Sequence, residues 1–402
     1  MVVLRGNARR TLAYASQVCD PDRPNSILFS VPTLSPGASE AFSRAAAAGA
    51  FGSRGPFTEQ VEKTIIERLG CTDAILTNSG SMALLVALSA LNLDRQDLVL
   101  IPSFCFVAVP QAVVLAGGTP CFVDVDPLTG SLDPNSLRNV PTERVRGVVV
   151  VHYAGIAADM SQILQIAAEF EWFVLEDSAH SFGGRHELGV LGSLGSLAIL
   201  SFDHQKNLQV GEAGAAIVND ERFLLPARRF ATLGTNIREL DQTRQVFDWV
   251  SRGQRASPPD YVAAILLNEL DNFTLIQSQR EAQWNYYAKS LKQWASLAGL
   301  KLPKVPPFST VLGWHIFWVT FENQVEAESF IVHMAKKGID CRRHYSSLSK
   351  TSAGLKYDHQ PTPSSDHLAE SLVRLPMGRH LGLAELEQIV GAATDWKHGD
   401  LP

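Results

Sequence analysis

Short apolar runs bounded by turn residues alternate with helical patterns over the first half of the chain. The apolar runs cover residues 74–77, 98–101, 121–124, 147–151, 172–175 and 197–202. Helix-like stretches at residues 82–91, 108–116 and 160–170 separate several of these runs. This βα alternation predicts an α/β fold built on a mainly parallel sheet flanked by helices.

Two further patterns predict helices at either end of this region. Phe57, Val61, Ile65 and Leu69 recur every fourth residue, and Gly70 follows as a stop, which is typical of a helix with one buried stripe. Residues 261–295 predict one long helix, followed by a strand at 316–321 and further alternation. We therefore expect an N-terminal extension (1–26), a large domain (27–260) and a smaller C-terminal α/β domain (261–402).

Composition narrows the class of protein. The chain has 402 residues, 46% of them hydrophobic, and a net charge of -6, which is typical of a globular protein without a basic surface for nucleic acid. Its five cysteines are scattered without metal-ligand spacing, so we expect reduced thiols in the cytoplasm and no metal site. The apolar stretches are all interrupted, which predicts neither an export signal nor a membrane span.

The residues after the predicted strands are candidates for chemistry, because ligands bind at the carboxyl ends of strands in such sheets. Gly80 and Ser81 lie between a strand and a helix, where backbone N–H groups favour an anion such as phosphate. A serine cap with a glycine turn would have the same local sequence. The dinucleotide and P-loop glycine patterns do not occur in the sequence.

Two carboxylates end the apolar run at 172–175. Asp177 is the functional candidate, because a carboxylate at that position can keep the nitrogen of a bound heterocycle protonated. Glu176 points the opposite way in an extended chain, so we expect it to cap a helix or to form a surface ion pair. The run ending near Ile101 is followed by Phe104, which we expect in the core, and by Phe106, which could stack on a planar ring.

Lys206 follows the next apolar run and is preceded by Ser201. A partly buried lysine can form an imine with an aldehyde cofactor, and the serine hydroxyl can bind a phosphate, although a single lysine can equally be exposed and inert. The order of the candidates favours the functional interpretation: a phosphate loop, then Asp177, then Lys206 29 residues later (206 − 177).

Together these residues resemble the DegT/DnrJ/StrS family of aminotransferases, from about Ser30 to residue 390. The matching stretches are Asn78-Ser79-Gly80-Ser81, Ile101-Pro102-Ser103-Phe104-Cys105-Phe106, Phe122-Val123-Asp124-Val125-Asp126, Val151-His152-Tyr153-Ala154-Gly155, Glu176-Asp177-Ser178-Ala179-His180 and residues 201–214. The resemblance implies a fold type I transferase with a seven-stranded sheet and pyridoxal 5'-phosphate as cofactor.

The resemblance also implies roles for individual residues. Lys206 would form the imine, Asp177 would pair with the ring nitrogen, Phe106 would stack on the ring and His180 would lie near the ring hydroxyl. The phosphate would be held by Gly80, Ser81 and Ser201. Family members are homodimers with shared active sites, and Arg255 occupies the position of an asparagine that the second subunit usually lends to the phosphate.

Within the family the chain is most similar to dTDP-4-amino-4,6-dideoxygalactose transaminases. This similarity lies in residues 234–236 and 284–287, and in His344 and Tyr345, which would contact the substrate. The expected reaction moves an amino group from L-glutamate to a nucleotide-linked keto sugar such as a dTDP-4-keto-6-deoxyhexose.

Departures from the family pattern leave two alternatives open. Asp203, Ala213, Arg255, residues 258–262 and serines at 346, 347 and 349 replace the usual residues. The acceptor could therefore be a cyclic or other non-sugar ketone, or the chain could be a non-catalytic ligand-sensing homologue. The intact Lys206 and Asp177 favour an enzyme.

Overall fold

The computed structural model describes residues 26–237 and 246–397, so the predicted extension lies almost entirely outside the described residues. The helices are α1 Ala38–Ala47, α2 Pro56–Leu69, α3 Gly80–Ser89, α4 Ala108–Ala116, α5 Pro134–Leu137, α6 Met160–Glu169, α7 Leu224–Ala231, α8 Asp260–Asp271, α9 Phe273–Ser290, α10 Lys292–Leu297, α11 Gln324–Lys336, α12 Pro363–Ser371 and α13 Leu383–Asp395. The strands are β1 Asp73–Thr77, β2 Leu98–Pro102, β3 Thr119–Val123, β4 Val145–Val151, β5 Phe173–Asp177, β6 Arg185–His186, β7 Gly189–Val190, β8 Leu197–Ser201, β9 Gly214–Val218, β10 Ser309–Val311, β11 Trp318–Thr320, β12 Arg342–Arg343 and β13 Leu372–Arg374. Short 3-10 turns cover Tyr153–Gly155, Glu221–Phe223, Leu348–Lys350 and Gly354–Lys356.

A seven-stranded sheet forms the centre of the described part, in the order β1-β9-β8-β5-β4-β2-β3. Strands β3, β2, β4, β5 and β8 pair in parallel, whereas β9 runs antiparallel to both of its neighbours. The predicted α/β fold with a mainly parallel sheet is therefore confirmed. Because β5 and β8 are parallel neighbours, with Asp177 opposite Ile199, their carboxyl ends open on the same edge.

Helix α2 packs against the central sheet through the apolar stripe that the sequence predicted. Val61, Ile65 and Leu69 are buried against β1, β8 and β9 in one cluster, and each such burial stabilises the fold by about 1.5–3 kcal/mol. The helix ends at Gly70, whose φ of 70° is easy for glycine. Its first turn is capped from a distance by Asp260, whose carboxylate accepts the backbone N–H of Thr58 at 2.7 Å.

The prediction of one long helix over 261–295 was wrong. The segment forms three helices, α8, α9 and α10, and the first break is at Asn272, whose backbone leaves helical geometry. The apolar spacing continues across the break, so periodicity alone did not reveal it. Helix α8 packs in the same apolar cluster as α2, and the division of the chain near residue 260 remains a proposal.

The C-terminal region builds a smaller sheet in the order β11-β13-β12. Its core includes Trp318, Phe330 and Ile389, all buried, and it extends to Phe104 and Tyr153 beside the central sheet. Among the described helices, none is long and apolar enough to cross a membrane. The four described cysteines are buried, and no disulfide joins them.

Candidate active site

A cavity of about 460 Å³ lies at the carboxyl ends of β5 and β8, beside the N-terminus of α3. Pockets for small ligands in proteins commonly measure about 300–1,000 Å³. Nine of the ten residues predicted from the sequence line this one cavity, which makes it the candidate active site. They are Gly80, Ser81, Phe106, Asp177, His180, Ser201, Lys206, His344 and Tyr345.

One end of the cavity has the groups that bind an anion. The Ser79 hydroxyl caps α3 by accepting the Met82 N–H at 3.1 Å, while the N–H groups of Gly80 and Ser81 in the first turn have no acceptor within the helix. A Cβ atom at Gly80 would lie 2.9 Å from the Ser201 side chain, so only glycine lets helix and strand end meet. Helix N–H groups and a hydroxyl together fit a phosphate.

Asp177 reaches the cavity from the last position of β5. Its side chain is 7% exposed, and one carboxylate oxygen accepts the Ala179 N–H at 3.0 Å. Burial raises the pKa of this carboxyl, while the Ala179 hydrogen bond and the positive charge of Lys206 oppose the rise. A carboxylate buried away from water favours a cationic partner, such as a protonated ring nitrogen.

The prediction for Glu176 was wrong, because this side chain is fully buried rather than at a helix cap or in a surface ion pair. Its carboxylate lies 2.9 Å from His152 Nε2 and accepts backbone N–H groups of Gly192, Leu194 and Gly195 at 2.7–2.9 Å. His152 Nδ1 accepts the Ala158 N–H, so Nε2 donates to the carboxylate. Removing such a buried partner costs about 3–5 kcal/mol, so Glu176 holds β5 and its loop in place.

Lys206 lies on the loop between β8 and β9, in a turn closed by its own N–H donating to the Asp203 carbonyl at 2.8 Å. Burial lowers the pKa of its ammonium to about 8, against the opposing effect of the carboxylates of Asp177 and Asp203. A larger share of this amine is therefore neutral near neutral pH than for an exposed lysine. A neutral amine is the form that attacks a carbonyl or accepts a proton.

Histidine and tyrosine side chains also line the cavity. His180 Nδ1 accepts the Ala154 N–H at 3.2 Å, so Nε2 carries the hydrogen and donates to the Tyr345 hydroxyl at 3.3 Å. Burial lowers the pKa of His180 well below its usual value, and the charge of Lys206 adds to this effect. His344 Nδ1 lies 3.1 Å from the Tyr153 hydroxyl, and Phe106 lines the cavity with 54% of its surface exposed.

Arg255 is the one predicted site residue outside this cavity. It is exposed, and its backbone pairs with Thr232. Near the phosphate end, Asp203, His204 and Glu212 place potential ligand atoms within 4.8 Å of one another, but His204 and Glu212 are exposed, and exposed acidic groups commonly meet without a metal.

Sequence reasoning did not identify three basic side chains beside Lys206. Arg280, His315 and Arg374 line a small neighbouring cavity that Lys206 also lines. Arg374 had a usable signal, because it is a charged residue inside the apolar run Leu372–Leu375. Arg280 and His315 had none, since a single basic residue on a helix or loop is usually solvated.

Several known proteins are similar to this chain in sequence and structure. The chain is 29% identical to dTDP-3-amino-3,4,6-trideoxy-alpha-D-glucose transaminase of Streptomyces venezuelae over 85% of this chain and 87% of that protein. It is 30% identical to the spore coat polysaccharide biosynthesis protein SpsC of Bacillus subtilis, over 66% and 68% of the two chains. The crystal structure of the aminotransferase TlmJ from Streptoalloteichus hindustanus superposes with a TM-score of 0.85 at 25% identity, covering 92% of this chain and 98% of that one.

A family model that matches most of the chain shows which family this protein belongs to. Residues 35–394 match the model of the DegT/DnrJ/EryC1/StrS aminotransferase family, whose members depend on pyridoxal phosphate. The matched region contains the whole cavity, from Ser79 to Tyr345. This protein therefore belongs to the DegT/DnrJ/EryC1/StrS aminotransferase family.

Proposed function

We propose that this protein is a pyridoxal-phosphate transaminase that moves an amino group from L-glutamate to a nucleotide-linked keto sugar. The observation that carries the proposal is the shared cavity of Lys206 and Asp177, with a helix N-terminus and Ser201 at its phosphate end. The cavity offers an amine, a buried carboxylate and an anion site, which are the groups that a phosphorylated pyridine aldehyde requires.

Each residue would have a separate task in the transfer. When bound, pyridoxal phosphate supplies an electron sink for a carbon that loses its proton. Gly80, Ser81 and Ser201 would hold the phosphate, and Asp177 would hold a proton at the ring nitrogen. Lys206 would carry a proton between the substrate carbon and the cofactor as a general acid and base.

The sugar acceptor is supported by the relative from Streptomyces venezuelae, whose name gives a dTDP-linked amino sugar aminated at carbon 3. The similarity to 4-amino-galactose transaminases is carried partly by Trp284 and Tyr287. Both are buried core residues that donate to the carbonyls of Ile316 and Pro376. We therefore propose a dTDP-linked keto-6-deoxyhexose as the acceptor, with carbon 4 and carbon 3 as the two positions to compare.

Two of the three serines that suggested a non-sugar acceptor are buried and do not line the cavity. Ser347 and Ser349 are buried and form hydrogen bonds with the Ser103 hydroxyl at 3.0 Å. These serines, which replace the usual family residues, are therefore packed in the core next to Ser103. Ser347 and Ser349 therefore give no support to a cyclic or other non-sugar acceptor.

A panel of acceptors tests the proposed function. The purified protein with pyridoxal phosphate and L-glutamate is incubated with dTDP-linked 4-keto and 3-keto deoxyhexoses and with carbocyclic ketones. We expect mass spectrometry to find amination of a dTDP-linked keto sugar. Amination of carbocyclic ketones alone would overturn the sugar assignment, and no transfer from any amino acid would overturn the transaminase assignment.

We also propose that the active enzyme is a homodimer in which Arg255 serves the cavity of the second subunit. Arg255 is exposed and does not line the cavity of its own chain. Large apolar side chains nearby are exposed as well, with Trp249 at 77% and Phe247 at 54%. A guanidinium at that position would bind a phosphate more strongly than an amide does.

Mixing two inactive variants tests the shared site. Neither Lys206→Ala nor Arg255→Ala should be active alone at limiting cofactor, but their mixed dimers contain one intact site. After subunit exchange we expect about one quarter of the wild-type sites to be active, measured as turnover per chain. The double variant mixed with Lys206→Ala has no intact site and is the matched control. Failure to recover activity in exchanged dimers would contradict the sharing of Arg255.

A further inference from the structure

Lys206 lies on the irregular loop between β8 and β9. Hydrogen bonds inside this loop are local: the Lys206 N–H donates to the Asp203 carbonyl, and the His204 N–H donates to the Gly211 carbonyl. Side chains on loops are positioned less exactly than side chains on strands or helices. A proton carrier must nevertheless be held exactly in place, because a misplacement of about 1 Å can cost about 10²-fold in rate.

The next residue, Asn207, connects this loop to the C-terminal region. Its amide nitrogen donates to Gln277 Oε1 on α9 at 3.1 Å and to the Gly313 carbonyl. Because both partners are acceptors, the orientation of the amide is fixed, and its oxygen accepts the hydrogen of His315 Nδ1 at 2.8 Å. Asn207 does not line the main cavity, so any effect it has on the chemistry passes through Lys206.

His315 is itself held on several sides. Its backbone N–H donates to the Ala154 carbonyl at 3.2 Å, and its carbonyl accepts Arg280 at 2.6 Å. Its ring packs on the ring of His180, with 4.4 Å between the centroids. Trp314, the preceding residue, has a φ of 52°, a left-handed conformation that is costly for a residue other than glycine and persists only where its surroundings enforce it. The surrounding structure therefore fixes the place of the His315 ring.

His315 also has one fixed protonation state. Burial lowers the pKa of His315 well below its usual value, and the neighbouring His180, Lys206, Arg280 and His344 act in the same direction. A neutral imidazole carries one hydrogen, which lies on Nδ1 because the Asn207 oxygen accepts it. His315 is thus a donor toward Asn207 that adds no positive charge beside the lysine.

We propose that Asn207 and His315 are positioning residues that hold the Lys206 amine at the cavity while it moves a proton. This inference rests on the proposed function for the proton transfer. The hydrogen-bonded pair, which we call the Asn207–His315 brace, fixes the residue next to the lysine to a rigid part of the C-terminal region. The rate of proton transfer therefore depends on the brace, whereas binding of the amino donor does not.

Two substitutions of His315 separate its hydrogen bond from its bulk. His315→Phe keeps a ring beside His180 but loses the donor, whereas His315→Asn places an amide N–H at the position of Nδ1. We expect the rate at which L-glutamate aminates the bound cofactor to fall about 10–100-fold in His315→Phe and to recover largely in His315→Asn. The glutamate concentration for half-maximal rate should change less than about threefold. Equal losses of rate in the two variants would overturn the proposal.

His333 on α11 provides a matched control. Its Nε2 forms a hydrogen bond with the Ala392 carbonyl at 2.8 Å, and it does not line the main cavity. His333→Phe therefore removes a histidine hydrogen bond from the C-terminal region without touching the brace. We expect the rate of cofactor amination to stay within about twofold of wild type, and a loss equal to that of His315→Phe would contradict a specific role for the brace.

An isotope effect and chemical rescue show whether the loss of rate acts through Lys206. With L-glutamate deuterated at Cα, the slowed His315→Phe enzyme should show an isotope effect at least as large as that of wild type, because proton removal is the step impaired. In Lys206→Ala enzyme rescued by methylamine, adding His315→Phe should change the rescued rate less than about twofold, since a free amine is not held by the loop. Loss of the isotope effect, or an undiminished defect in the rescued enzyme, would overturn the proposal.

Hydrogen–deuterium exchange tests the brace without turnover. In folded holoenzyme, His315→Phe and Asn207→Ala should each quicken exchange of peptides covering residues 203–211 at least about tenfold, while peptides of β4 stay unchanged. Unchanged exchange of the loop, or an equal increase along the whole chain, would overturn the proposal. If no amino acid serves as donor, the proposed function fails, yet exchange still reports on the brace. If His315→Phe does not fold, Asn207→Ala replaces it in every measurement.

Discussion

Replacing Lys206 with alanine is expected to abolish transamination, with kcat falling at least about 10⁴-fold. The Lys206 amine lines the cavity and, with a pKa of about 8, can act as both nucleophile and proton carrier near neutral pH. A positioned acid–base group contributes up to about 10⁴-fold to a rate, and the covalent link to the cofactor is lost as well. Product formation by mass spectrometry and the visible absorption of the bound cofactor measure the two losses.

A matched control separates the chemistry of Lys206 from the general effect of removing a lysine. Lys63→Ala removes an exposed lysine that pairs with Glu67 on α2, and it should leave both activity and absorption unchanged. Added methylamine should restore a small part of the Lys206→Ala activity, because it can supply the missing base. Wild-type absorption together with wild-type turnover in Lys206→Ala would remove this residue from the proposed mechanism.

The positions of Asp177 and Lys206 could be predicted because each follows a strand of a parallel sheet. Carboxyl ends of neighbouring parallel strands meet at one edge, so residues far apart in sequence are brought together without knowledge of side-chain packing. The strands that end at Asp177 and Ser201 are direct neighbours in the sheet, which the βα alternation indicated in general terms. The same reasoning identified the glycine and serine at the start of α3.

Other features of the fold and of the site could not be predicted, because the periodicity of apolar residues does not encode them. Arg374 comes from a strand in the smaller sheet, and its approach to Lys206 requires the packing of the C-terminal region against the central one. The burial of Glu176 depends on three N–H groups from a loop that wraps around it. The break at Asn272 is a backbone feature without an apolar signal. Tertiary contacts decided the first two cases, and local backbone geometry decided the third.

Replacing Asp177 with asparagine is expected to lower kcat about 10²–10³-fold while the cofactor stays bound. The negative charge that would hold the ring nitrogen protonated is lost, and removing one member of a buried charge pair costs about 2–5 kcal/mol. Asparagine has the same shape, and its oxygen can still accept the Ala179 N–H, so the end of β5 should keep its structure. The visible absorption should therefore persist, unlike in Lys206→Ala.

Two measurements distinguish this electrostatic role from a structural one. The Asp177 carboxylate raises the pKa of Lys206, so its removal should lower that pKa below about 8, and the pH at which the free amine loses its proton should fall. Asp177→Glu keeps the charge and should recover part of the rate, whereas a structural defect would be worsened by the longer side chain. Because burial raises the pKa of Asp177, the neutral amide should not lower the melting temperature. Wild-type kcat in folded Asp177→Asn enzyme would show that the carboxylate does not act on the cofactor.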